Sequence, residues 1–514
     1  MTLSAKERAL NKTRIEINKD ISLLIDMAKH CGLGEIQYFV YYLHVIRLLP
    51  RFGNIPKGKN EMVGLYVRQF DEAYKYIIQI ITKYGQNKYI KNDLNNTILN
   101  LELVQLMLKA ALGINAKFES LSFLSMFNNI EVKGQRDQHI KINMEEVMKD
   151  PRLSKFYEYS LRVDRENDFK KDNPYTAKAL LIYFKEEYNA YSDLFLKEFK
   201  LTLDNFIELI DWIVHLITTQ IQIGEKKCSK LENGNININS FETFILVGSA
   251  FFVEKNKVFE HFSFKAKPIL ERLTFKPDLF DQNQLSYNLI ARKPIIEKSN
   301  SFIISPELLL DSLFINSHYS LLETSELKDE YKKRFSNSFV DQILEKCIQN
   351  GYEEFAKGLE LFEGKNQLGD LDLVVKNNNN EFLLIEAKNH SLPMDVYFHD
   401  FEATEKRLTQ LLDEWEKKVK RRHKHLELKH QNYGISNAFK YIIVSKAPEI
   451  ISHFSEYLIL SLNEFDYWIT TKNLNTTFSD VLKGFYKIDE SKFTIKQLRQ
   501  IEKDLSTGWS FKKK

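Results

Sequence analysis

The chain has 514 residues, 43% of them hydrophobic and 13% aromatic, which is too long for one ordinary core and too apolar for a disordered chain. A formal charge of +3 excludes a globally basic nucleic-acid coat and confines any such surface to a local patch. Cys31, Cys228 and Cys347 are widely separated without a CxxC pair, which argues against a zinc site or a disulfide framework and suits a reducing compartment.

Residues 1–18 are charged and helical in pattern, with no apolar signal core. The longest apolar run, 244–253, falls short of the roughly 20 residues that span a bilayer. The expectation is a soluble cytoplasmic protein with no membrane partner.

Residues 1–325 read as a mostly helical region. Apolar residues recur near the 3.6 period at 38–49, 62–84, 94–112, 177–199 and 204–222. Pro50 is expected to stop the first of these, Pro174 to open the fourth and Gly224 to close the last. Residues 236–275 are ambiguous. A small hairpin subdomain is expected at 285–320, from Ile295-Ile296, a Ser299-Asn300-Ser301 turn and Phe302-Ile303-Ile304, followed by a helix opening at Pro306. Tyr38, Phe39, Tyr41 and Tyr42 sit at helical spacing and read as core or interface rather than as base-stacking residues. The region has no assigned chemistry; it is a surface for a protein partner or for self-association.

A charged linker is placed at 326–333. After it the elements follow an α-β-β-β-α-β order over 326–475: a helix at 335–350 ended by Gly351, strands at 354–362, 369–375 and 383–388, a helix at 398–429, and a strand at 441–444. A further helix and strand follow to 462, and 476–514 reads as a charged helical extension.

Two of these strands carry charges that an apolar core does not favour. Asp370 and Asp372 share one face of the first, and Glu386 and Lys388 share one face of the second. The run Asn377 to Asn380 can turn the chain between them. A charge in a half-buried strand is costly unless it is paired or binds a metal. Asp372 and Glu386 can supply the carboxylates that a hard cation such as Mg²⁺ (or Mn²⁺) takes, with the backbone oxygen of Ala387 as a further ligand. Lys388 stands where it can lower the pKa of an attacking water or steady developing phosphorane charge. Asp370 is a supporting partner or auxiliary ligand. The bland alternative is an exposed ribbon of cross-strand charge pairs. Leu373-Val374-Val375 and Leu383-Leu384-Ile385 are apolar on both faces, the pattern of a covered sheet, and count against it.

With Gly369-Asp370-Leu371-Asp372 on one strand and Glu386-Ala387-Lys388 on the next, residues 335–462 resemble the PD-(D/E)XK nuclease superfamily. The proline that names the motif is absent, and a Gly-x-x-Asp form stands in its place. The resemblance implies a restriction-endonuclease-like α/β domain: an αβββαβ core whose mixed sheet is flanked by helices. It implies a Mg²⁺-dependent endonuclease acting on phosphodiester bonds, with DNA ahead of RNA as substrate. It also implies a supporting acid on the first helix, for which Asp341 is the candidate and Glu345 the alternative. By the same resemblance Arg407 or Gln410, early on the long helix, assists at the site. The whole chain is thus expected to be an α+β multidomain protein, with a prokaryotic defence or restriction effector as the weaker, fold-level analogy. The alternative is a catalytically silent nucleic-acid-binding or scaffold protein that keeps the nuclease fold.

The long helix also carries Lys417, Lys418, Arg421 and Arg422, which suit phosphate contacts along bound nucleic acid. Asp413, Glu414 and Glu416 nearby support a solvated face instead. His423 and His425 are two apart and diverge on a helix, so with His430 they read as polar face rather than a zinc site. Gly364-Lys365 lacks the spacing and the Ser or Thr of a phosphate loop.

Overall fold

The computed structural model of the chain describes residues 4–52, 60–86, 100–126, 130–133, 139–142, 152, 154–156, 158–163, 177–227, 250–283, 288–298, 300–324, 326–389 and 401–487. The architecture is α+β, in two compact units. One consists of Met1–Ala9, Ser122–Pro174 and Lys332–Gly508, the other of Leu10–Leu121, Tyr175–Tyr331 and Trp509–Lys514. A single boundary at 326 therefore misses that Ser122–Pro174 belongs with the C-terminal elements.

In the helical unit, Leu33–Phe52 continues through Pro50. The proline lies in the last turn, where the loss is confined to one backbone bond. Leu203–Lys227 likewise runs through Gly224. A lone glycine costs about 1 kcal/mol against alanine, too little to end a helix with a packed face. Between Leu203 and Gly224 this helix is long and apolar enough to cross a membrane by length and composition. Its apolar stripe, including Phe206, Ile210, Ile213 and Ile217, is buried in the unit's core. The residues expected to form one helix at 177–199 form Ala177–Tyr188 and Ser192–Phe199, joined by a 3₁₀ turn. The expected hairpin is present as Ile295–Lys298 and Ser301–Ile304, and Phe252–Glu254 adds a third strand. Phe39 and Tyr41 are buried, as expected of core aromatics. Pro174 lies outside the described residues, as do 236–249 of the ambiguous stretch.

The α/β elements begin with α1 (Lys328–Gln349), so residues 328–333 of the expected charged linker form the first turns of a helix. Asp329 and Glu330 in that first turn face the helix's partial positive end. Gly351, at φ +90°, ends it and turns the chain into the sheet. Strands β1 (Tyr352–Glu363), β2 (Asn366–Asn377) and β3 (Phe382–Lys388) form an antiparallel meander. Then come α2 (Phe401–Leu411), a π-helical turn at Leu412–Glu416, and α3 (Lys417–Lys429). β4 (Phe439–Ser445) joins β3 in parallel, and β5 (Leu458–Ser461) joins β4 in parallel. The five strands thus lie in sequence order across one mixed sheet. Helices α4 (Leu462–Thr470) and α5 (Phe478–Phe485) follow. Val481 on α5 is buried in the sheet's core, so this part of 476–514 is no free extension; 488–514 lie outside the described residues.

Alternation sorts the sheet's two faces. Leu373, Val375, Leu383 and Ile385 pack against Phe339, Ile343 and Cys347 of α1 and Phe465 and Trp468 of α4. The intervening residues Asp372, Val374, Leu384 and Glu386 face the other side.

Candidate active site

The turn between β2 and β3 forms as expected. Asn380 donates its N–H to the backbone oxygen of Asn377 at 2.9 Å, and Asn380 takes φ +60°. This fixes the register, with Leu373 opposite Ile385 as the last paired position. Asp372 and Glu386 follow immediately, on the same face, where the backbone ladder has stopped. The carboxylate of Asp372 takes over: its Oδ2 accepts the N–H of Ala387 at 2.7 Å.

Glu386 is only 2% exposed, and both its oxygens are engaged. Oε2 accepts from Lys388 Nζ at 3.0 Å, and Oε1 accepts from Tyr441 Oη at 2.6 Å and from Arg422 Nη1. A buried carboxylate needs such partners, because unpaired it carries a desolvation cost of several kcal/mol. Arg422 also donates through Nη1 to the backbone oxygen of Asp370 at 2.6 Å. Asp372 has fewer partners. Burial, followed by the nearby charges of Glu386 and Asp370, pushes its carboxyl up to about 6 against the pull of Lys388 and the Ala387 N–H. An added positive charge is what this carboxyl lacks.

The sequence-derived residues divide accordingly. Asp372, Glu386, Ala387 and Lys388 are brought together, and Asp370 stands beside them with an exposed side chain. Asp341 is not among them. Its carboxylate accepts from Lys357 Nζ at 2.7 Å, and Lys357 pairs with Leu373, on the face covered by α1. Glu345 bonds Gln349 along the same helix.

The long helix departs further from expectation. Arg407 is held by Glu449, with Nη2 to Oε1 at 2.8 Å, and Gln410 bonds Glu414 at 3.0 Å. Lys417 pairs with Asp413 at 2.5 Å, and Arg421 donates to the backbone oxygen of Leu368 at 3.0 Å. Lys418 is exposed. Arg422, expected on the nucleic-acid face, is buried against Glu386. Tyr441 is a site residue that no motif marks, and Arg422 enters the site as a partner of Glu386 rather than of phosphate. His423, His425 and His430 face different partners: the Tyr441 ring, the Tyr433 hydroxyl and the Ile435 backbone oxygen.

Two carboxylates on adjoining strands fit a hard cation that brings its own waters and substrate oxygens. Among the described residues no group of three or more His, Cys, Asp or Glu side chains assembles as a ligand set. No family model matches the chain, and neither the curated proteins nor the solved structures contain a match.

Proposed function

We propose that this chain is a metal-dependent nuclease that hydrolyses phosphodiester bonds, with DNA the first substrate to test. The observation that carries the reading is the placement of Asp372, Glu386 and Lys388 on one sheet face, at the point where two neighbouring strands stop pairing. The α-β-β-β-α-β order and the mixed sheet support the resemblance to PD-(D/E)XK nucleases.

Asp372 and Glu386 would hold Mg²⁺ or Mn²⁺. A bound divalent cation supplies Lewis-acid activation of a phosphate oxygen and of water. The chain's own residues supply the rest. Asp372 keeps an oxygen outside its bond to Ala387, and Arg422 and Tyr441 hold Glu386 Oε1 in place. Lys388, 21% exposed, is the cation free to face the substrate once it leaves Glu386 Oε2. Its ammonium then stabilises charge developing on the phosphoryl oxygens or holds the attacking water.

The test is cleavage of plasmid and single-stranded DNA by the full chain with Mg²⁺ or Mn²⁺, beside Asp372→Ala and Lys388→Ala. Cleavage is expected from the wild type, with a loss of at least about a hundredfold in each variant. Wild type and variants that all leave the substrates intact would sink the reading for those substrates. One observation favours a second reading, a silent nucleic-acid-binding protein: Glu386 is fully satisfied by the chain's own residues, and Asp341 adds no third carboxylate. Undiminished DNA binding without cleavage is the outcome that supports it.

A further inference from the structure

We infer that Arg422 is a positioning residue that sets the spacing of the two ligand-bearing strands; this rests on the nuclease reading above. The pairing of β2 with β3 runs from Lys376 and Phe382 to Leu373 and Ile385, one position short of the carboxylates. Beyond it, one guanidinium spans the gap. Nη1 of Arg422 donates to the Asp370 backbone oxygen on β2 at 2.6 Å and to Glu386 Oε1 on β3. With the Ala387 N–H on Asp372 Oδ2, this makes a side-chain cross-link on either strand where backbone rungs have ended.

The surroundings of the guanidinium are shaped for it. Gly369 takes φ +117°, and a Cβ there would lie 3.0 Å from Arg422 Nε and 3.1 Å from Cζ. Any other residue at 369 would crowd the guanidinium, which would have to shift by a few tenths of an ångström against its two acceptors, and would strain the backbone. Among the described residues Nε has no hydrogen-bond partner, and the bonds through Nη1 hold the group. Tyr441 Oη approaches the same Glu386 oxygen at 2.6 Å from β4. Oε1 is therefore committed to the protein, and Glu386 offers a cation Oε2 alone. A lysine keeps the charge, but its side chain is one atom shorter than the path to Nη1, so its ammonium does not reach both acceptors.

Positioning and simple charge balance give opposite signs. A fixed positive charge near a divalent cation repels it, so if Arg422 were only a counter-charge, Arg422→Gln would tighten metal binding. If Arg422 sets ligand spacing, its loss weakens binding, as loss of a partner that orients a metal ligand does, by about 10- to 100-fold.

The experiment is Mn²⁺ titration of the metal-free full chain without nucleic acid, reading free Mn²⁺ by electron paramagnetic resonance. Wild type, D372A, R422Q, R422K and G369A are compared, each with a thermal melt. R422Q, R422K and G369A are each expected to weaken binding at least about tenfold. The double variant G369A/R422Q should be no weaker than R422Q, because both remove one interaction. Excess Mn²⁺ should restore most of the cleavage lost by R422K, which a fold defect would not allow. R422Q and R422K that bind Mn²⁺ within twofold of wild type, or more tightly, overturn the role of Arg422. If R422Q melts below the assay temperature, R422K and G369A decide by the same criterion. Wild type that binds no Mn²⁺, or binds it equally after D372A, instead overturns the nuclease reading.

Discussion

The α/β elements are expected not to fold when the chain is cut at residue 326, because a buried ion pair ties them to residues 158–163. Arg162 grips the Glu464 carboxylate with Nε on Oε1 and Nη2 on Oε2, the latter at 2.6 Å, and gives Nη1 to the Glu449 backbone oxygen at 3.0 Å. Both side chains are fully buried. Glu464 also caps α4 by accepting the Ser461 N–H at 2.6 Å. Burial by itself would raise the Glu464 carboxyl; the charge and hydrogen bonds of Arg162 outweigh it and hold the group below the usual carboxylate range. Removing one partner of such a pair costs about 3–5 kcal/mol, because the other charge stays buried. Truncation also strips the buried contacts of Phe156, Tyr159 and Val163, each side chain contributing roughly 1.5–3 kcal/mol. The combined loss is on the order of 10 kcal/mol, the scale of a whole domain's stability. Urea unfolding followed by far-UV circular dichroism and tryptophan fluorescence reads both parts. Arg162→Ala should lower stability by about 3–5 kcal/mol, and Arg162→Met with Glu464→Leu should recover most of it, since a packed apolar pair often matches a buried ionic one. The reasoning is refuted if Arg162→Ala costs less than about 1 kcal/mol, or if residues 326–514 alone unfold cooperatively at the full chain's midpoint.

Two further outcomes are expected. His453 is buried, with Nε2 unpartnered among the described residues, and burial and then the charge of Arg162 hold its pKa well below the usual value. Its folded pKa lies below its unfolded one, so its contribution is complete above about pH 6.5 and is lost as pH falls, at up to about 1.4 kcal/mol per unit. Urea midpoints at pH 7 and 5 should therefore fall more in wild type than in His453→Phe; equal falls would refute the assignment. The difference between the two proteins cancels Asp372, whose raised value favours the folded state as pH falls. Glu158, also raised, lies 3.5 Å from His453 Nδ1 and reports together with it. Asp341, paired with Lys357 on the opposite face, should be dispensable: Asp341→Ala is expected to keep metal-dependent cleavage within about twofold. A tenfold loss would place it at the chemistry after all.

The strands were legible because their signals are local. Leu373-Val374-Val375 and Leu383-Leu384-Ile385, bounded by Gly369 and the asparagine turn, need no distant residue to be read, and the acids on them share a face by alternation alone. The membership of Ser122–Pro174 was not legible, because it depends on Arg162 meeting Glu464 across 302 positions. No local pattern marks that arginine. Arg422 lies between these cases. A basic run on an exposed helix suggests phosphate contacts for all its members, and that grouping hid a distinction the spacing does carry. Leu408, Leu411, Trp415, Val419 and Leu426 recur every three, four or seven residues and are buried, and Arg422 fills the gap in that stripe. An arginine in the apolar stripe of a helix cannot face solvent with the rest of a basic run; it must find a buried acceptor. On this sheet face the acceptor is Glu386. The same test removes Asp341 from the site: Phe339, Ile343 and Cys347 point α1 at the core, and Asp341 falls off their stripe beside exposed Lys357. A charge's place in a helix's apolar period therefore separates a site residue from a surface one better than its distance along the chain from a motif.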